Sequence, residues 1–216
     1  MVNTVIKTIS KDETAELIEK KSKFIANIYA VESVKEAESK IKDIKKKYHD
    51  ARHNCYAYSV MENGQTVVRM SDDGEPSGTA GEPILNVILK NELQNVLIIV
   101  TRYFGGILLG TGGLTRAYSN ISIQALKNTD IIEKEEGIQL EVGVNYADNA
   151  KFKYYCSKNN IKIIDLQYKE NIFYIIELNE EKFNNLKKNN IEKNRENVIN
   201  IISIVEKCRK LIEKVK

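Results

Sequence analysis

Residues 100–118, VTRYFGGILLGTGGLTRAY, set five glycines between Arg102 and Arg116 with no acidic residue among them. Glycine lets successive backbone N–H groups converge, and the start of a helix adds partial positive charge, so a glycine-rich passage from strand to helix suits an anion. Phosphate is the natural guest, whether from an RNA backbone, a nucleotide or another phosphate-bearing small molecule. The same residues fit a plainer arrangement, in which the glycines let a loop cross close beneath a helix while the arginines pair with local carboxylates. Two familiar phosphate signatures do not fit. GILLGTGG lacks the Lys-Ser/Thr ending of a Walker loop, and Thr115 stands where a dinucleotide fingerprint places its third glycine. An ordinary NTPase or dehydrogenase is therefore disfavoured.

A second cluster, SDDGEPSGTAGEP (71–83), carries Asp72, Asp73, Glu75 and Glu82 without a lysine or arginine. Oxygen ligands so close together could hold Mg²⁺, although their spacing is not that of a calcium loop. The favoured reading is a turn whose carboxylates neutralise Arg102 and Arg116 or cap the following helix. HDARH (49–53) places His49 and His53 four apart with Asp50 between, close to a zinc-binding HExxH helix. Aspartate is one methylene too short for the general base, and these are the only histidines, so no third ligand of that type exists. The spacing instead predicts a helix ending near Tyr48 and His53 at a strand entrance, hydrogen-bonded to nearby loops. No metal site, cofactor or convincing catalytic constellation is expected.

The elements that position these residues are legible from periodicity. FIANIYAV (24–31) reads as a strand, and Ser33 with Glu36 forms a capping box opening a helix striped by Val34, Ala37, Ile41, Ile44 and Tyr48. NCYAYSVM (54–61) and TVVRM read as two strands joined by an Asn63-Gly64 turn. PILNVILKNEL (83–93) reads as a buried helix, NVLIIVT (95–101) as a central strand, and residues 114 to about 127 as a helix. From Gly137 the order is β-α-β-β-α-β, the ferredoxin-like pattern. The last run, VINIISIVEKCRKLIEKVK, also fits a helix, through Ile201, Ile204, Val205, Cys208, Leu211 and Ile212. KFKYYCSK (151–158) mixes lysines with aromatics, but Phe152, Tyr155 and Cys156 share a helix face, so core packing is favoured over RNA binding.

With 216 residues, 42% hydrophobic and 29% charged, the chain suits two small globular domains. The longest apolar run, VLIIV, is far too short to span a membrane, and the start lacks a secretory apolar region; a cytoplasmic protein without a membrane partner is expected. Cys55, Cys156 and Cys208 are an odd, scattered set, as reduced thiols are. Residues 1–137 carry 18 Lys and Arg against 19 Asp and Glu, net −1; the remainder carries 15 against 11, net +4. General polyanion affinity would favour the C-terminal part.

Taken together, ARHNCYAY (51–58), SDDGEPSGTAGEPIL (71–85) and the glycine stretch resemble the Impact family, in its bacterial YigZ branch, over roughly residues 15–130. The resemblance implies an α+β protein. Its N-terminal domain, residues 1–136, would have the fold of the second domain of the fifth small-subunit ribosomal protein. Residues 137–216 would form a C-terminal ferredoxin-like domain resembling the end of elongation factor G. It also implies a role around translation, since eukaryotic members regulate the amino-acid starvation response. Carried over position by position, the family pattern falls on His53, Asp72, Asp73, Gly74, Glu75, Ser77, Gly78, Thr79, Gly81, Arg102, Tyr103, Gly105, Gly106, Gly110, Gly112, Gly113 and Arg116. The leading expectation is a regulatory binding protein that contacts RNA or the ribosome through the glycine loop. The alternatives are a Mg²⁺-dependent enzyme acting on a phosphorylated small molecule and a protein-interaction domain.

Overall fold

The computed structural model describes residues 5–191, 199 and 201–214. The fold is mixed α+β, and packing divides it into two compact units that part between Ile132 and Glu133.

In the N-terminal unit, five strands form one antiparallel sheet: β2 (Glu13–Glu19), β3 (Ser22–Ala30), β4 (His53–Glu62), β5 (Gln65–Ser71) and β6 (Val96–Tyr103), in the order β2-β3-β6-β4-β5. The central place of β6 explains its unbroken apolar run, since each face of the strand meets a separate core. On one face Val96, Ile98 and Val100 pack with helices α2 (Gly81–Lys90) and α3 (Thr111–Lys127); on the other Leu97 and Ile99 pack with helix α1 (Val34–Lys47). The α1 stripe buries Ala37, Ile41 and Ile44, and the Ser33 hydroxyl accepts from the Glu36 N–H at 3.1 Å. The Glu36 carboxylate closes the turn onto the Glu32 N–H, one residue before the cap. Asn63 and Gly64, both at positive φ, make the tight β4–β5 turn.

Two strands have no counterpart in the sequence reading: β1 (Val5–Ile9), which runs beside Leu93, and the edge strand β2. β2 turns only Ala15 and Leu17 toward the core, so charged residues obscure its alternation.

The C-terminal unit runs β7 (Ile131–Val144), a single 3-10 turn (Tyr146–Asp148), α4 (Asn149–Lys158), β8 (Lys162–Tyr168), β9 (Ile172–Leu178), α5 (Glu180–Ile191) and β10 (Ile201–Glu213). Its strands lie in the order β10-β7-β9-β8, each of these pairs antiparallel, and β1 joins the same sheet as a further neighbour of β7. Ile138, Leu140, Phe152, Tyr174, Ile176 and Phe183 anchor its separate core. Gly137 lies within β7, where a Cβ would collide with the Ile212 side chain, so it marks a close approach of two strands inside this unit. The described part of the tail is a strand, paired from Ile201 opposite Val144 to Glu213 opposite Lys134. Val198, Asn200, Val215 and Lys216 of the expected last run lie outside the described residues.

Candidate functional site

The acidic turn, the end of β6 and the start of β4 meet because His53 and Arg102 are register partners on adjacent strands. Both point to the α2/α3 face, where Glu75 is waiting. Arg102 Nη1 donates to Glu75 Oε1 at 2.6 Å, and the Tyr118 hydroxyl of α3 donates to the same oxygen at 2.9 Å. The arginine and glutamate side chains are only 6% and 3% exposed, so this is a buried, hydrogen-bonded ion pair. Arg102 Nη2 reaches Ser22 Oγ at 3.3 Å, and the guanidinium stacks 5.4 Å from the Phe24 ring and 5.5 Å from the Phe104 ring. Its Nε finds no partner among the described residues.

His53 Nδ1 lies 2.9 Å from the Asp73 carbonyl, which can only accept, so Nδ1 carries the proton. The other ring nitrogen then faces Glu75 at 3.9 Å. His53 thus sits at the strand entrance and bonds the acidic loop. The Cys55 thiol stands 2.9 Å from the Asp72 carbonyl and 3.3 Å from the Tyr118 hydroxyl, and its one proton serves one of them. Burial pushes this thiol up to about 12 and raises the Tyr118 phenol. Neither is poised as a nucleophile or base.

Asp72 and Asp73 are also engaged, whereas Glu82 lies exposed in the first turn of α2. Asp72 accepts from the N–H groups of Gly78 (2.9 Å), Ala80 (2.9 Å) and Gly81 (2.8 Å), so a residue eight positions upstream caps α2, whose own N-cap, Ala80, has no side chain able to do so. Burial alone would raise the Asp72 carboxyl, but the bonds from Gly78, Gly81 and Ala80 hold it below its usual value. Asp73 accepts from the Asn54 N–H at 2.7 Å and pairs with Lys45 at 2.6 Å, its backbone at positive φ together with Gly74. The Thr79 hydroxyl donates to the Pro76 carbonyl at 2.7 Å, and Ser77 is exposed. Among the described residues no group of three or more His, Cys, Asp or Glu is disposed to hold a metal ion.

The glycine stretch divides into a buried anchor and an exposed tip. Gly105 N–H donates to Ser22 Oγ at 3.3 Å, and a Cβ at Gly105 would collide with the Lys21 carbonyl and come within 2.5 Å of the Ser22 nitrogen. Gly106 and Gly110 take positive φ in open space. Between them Ile107 and Leu108 are 43% and 83% exposed, next to Phe104 at 40%, while Leu109 tucks into the core. α3 begins without a side-chain cap and without an acidic residue in its first turn, at the exposed residues Thr111 and Gly112. Arg116 is exposed, and its Nη1 lies 3.7 Å from where a Gly112 Cβ would stand. Tyr103 donates to Asp50 at 2.8 Å, at the other side of the strand end.

The two arginines therefore part company. Arg102 is buried in its pair with Glu75, while Arg116 alone stands exposed at the uncapped helix start. Sequence reasoning did not single out Tyr118, Cys55 or Ser22 for this site. Tyr118 fell in the core stripe of its helix, where a buried phenol needs a partner, and that need was the available signal.

Fold and site define an α+β protein in which a buried Arg-Glu-Tyr network holds a glycine loop against an antiparallel sheet. Residues 20–126 match the Impact N-terminal domain. IMPACT family member YvyE of Bacillus subtilis is 36% identical over 76% of this chain and 76% of its own length. An IMPACT family member of Haemophilus influenzae is 36% identical over 74% of this chain and 79% of its own. A crystal structure described only as that of a hypothetical protein covers 94% of this chain and 98% of its own, at 27% identity and a TM-score of 0.62. The chain belongs to the IMPACT family.

Proposed function

We propose that this protein is a translation-associated regulatory binding protein that docks on RNA or the ribosome, in the cytoplasm, through residues 104–113 and Arg116. The observation that carries this reading is the exposed start of α3, with no side-chain cap, no first-turn carboxylate and Arg116 beside Gly112. That arrangement suits a phosphate oxygen. Family membership supports the placement around translation. The finer fold reading goes with it: an N-terminal unit like the second domain of the fifth small-subunit ribosomal protein, and a ferredoxin-like C-terminal unit like the end of elongation factor G. The β10-β7-β9-β8 order supports the latter.

Exposed Leu108, Ile107 and Phe104 favour a second reading, docking on a protein surface. The magnesium-enzyme reading loses its support, because Asp72, Asp73 and Glu75 already have backbone or cationic partners. Pelleting of purified protein with ribosomes separates the two docking modes. Phosphate docking predicts loss of pelleting in Arg116→Ala; loss only in Leu108→Ser, with Arg116→Ala unaffected, would transfer the function to protein docking.

A further inference from the structure

We infer that the C-terminal unit carries a stacking platform for single-stranded nucleic acid at the corner where Tyr146 and Tyr168 meet. The site uses residues unrelated to the glycine loop and does not depend on the role proposed for it. Tyr146 occupies the 3-10 turn before α4, and Tyr168 ends β8. Their rings stack with centroids 6.5 Å apart and planes 29° from parallel, although the residues are 55% and 59% exposed. The Tyr146 hydroxyl donates to the Lys169 carbonyl at 2.8 Å, which fixes that ring before any ligand arrives. An outward aromatic pair already held in place offers π-faces to unpaired bases at little cost in side-chain entropy.

The charge around the pair selects the ligand. Between Asn145 and Asn171 the chain has five lysines and three carboxylates. Asp148 is buried and pairs with Lys151, whereas among the described residues Lys153, Lys158 and Lys169 form no ion pair. Helix α4 turns Phe152 and Cys156 into the core and leaves Lys153, Tyr154 and Lys158 outside, with Tyr154 68% exposed. The core reading of KFKYYCSK thus holds for Phe152 and Cys156, while Tyr154 and its lysines remain free of it. Flat aromatics interleaved with lysines that no carboxylate neutralises, Lys169 lying only over the Phe173 ring at 5.6 Å, match a strand that offers unstacked bases and a phosphate backbone. The net charge of +4 after residue 137 has the same sign.

The test is fluorescence anisotropy of the full chain with a labelled oligouridylate of about twelve nucleotides, within the usual span of one such site, across a KCl series. Tyr146→Ala and Tyr168→Ala are expected to weaken binding about 5- to 100-fold each, while Tyr168→Phe, which keeps the ring, retains it. Lys153→Ala is expected to flatten the log–log salt slope by about one. Lys42→Ala, an exposed lysine of α1 that belongs to neither site, is expected to leave oligonucleotide affinity unchanged, which separates the platform from a general loss of positive charge. Circular dichroism melts establish that each variant is folded. The inference is overturned if the wild type does not bind at low salt, if the folded tyrosine variants bind as well as it does, or if duplex RNA of the same length binds better. Loss of self-association in Tyr168→Ala without any change in oligonucleotide affinity, read by analytical ultracentrifugation, would overturn it in favour of an interface between copies.

Discussion

Arg102 and Arg116 carry the same charge at two ends of one loop, and their surroundings give them different work. Arg102 is 5% exposed and answers Glu75, so its removal strands a buried carboxylate with Tyr118 as its remaining close donor. Arg102→Ala is expected to lower stability by about 3–5 kcal/mol in urea unfolding, the usual consequence of breaking a buried pair. Arg116→Ala, on the surface, should change it by less than about 0.5 kcal/mol. Equal, small effects would show that the buried pair does not hold the fold. The sequence carried half of this distinction. An acidic stretch without its own cations, followed by two arginines, implies neutralisation, but the choice of arginine depends on the β4–β6 register that sets His53 opposite Arg102. Nothing local in the sequence encodes that register, because its partners come from distant segments.

At the scale of elements, the loop owes its shape to one close approach. Gly105 presses on the Lys20-Lys21 turn of the β2–β3 hairpin, where both lysines take positive φ. Gly105→Ala must displace backbone and is expected to cost at least about 2 kcal/mol. Gly106→Ala meets open space and bears only the positive-φ penalty, about 1–2 kcal/mol. Thermal or urea unfolding ranks the two, and a milder Gly105 variant would contradict the packing described. The helices and the central strand were legible because their apolar stripes are strong, and α1 is in addition capped locally by Ser33. β2 was not, since this edge strand turns only Ala15 and Leu17 to the core, and β1 was not, since its buried Ile6, Thr8 and Ile9 fall in a run of only five residues. The tail was ambiguous for a related reason. Ile201, Ile204, Val205 and Cys208 fit a helical period, but pairing along β7 from Lys134 to Val144 satisfies a row of backbone groups that a helix would leave uncovered.

At the scale of the whole molecule, two units with separate cores carry two differently built surfaces. One is apolar at the loop before α3, through Phe104, Ile107 and Leu108, the other aromatic and lysine-rich beside α4. Among the described residues no helix is long and apolar enough to cross a membrane. Composition alone already placed the basic excess after residue 137, whereas the division of labour between the two arginines required the fold. The central claim is that the glycine loop meets phosphate through Arg116 and the start of α3. Co-sedimentation with ribosomes across a KCl series tests it most directly, with wild type and Arg116→Ala side by side. The account predicts binding that falls steeply with salt, and an Arg116→Ala variant, as folded as the wild type, that binds more weakly with a log–log slope smaller by about one. Salt-insensitive pelleting, or an Arg116→Ala variant that pellets like the wild type at every salt concentration, would contradict it.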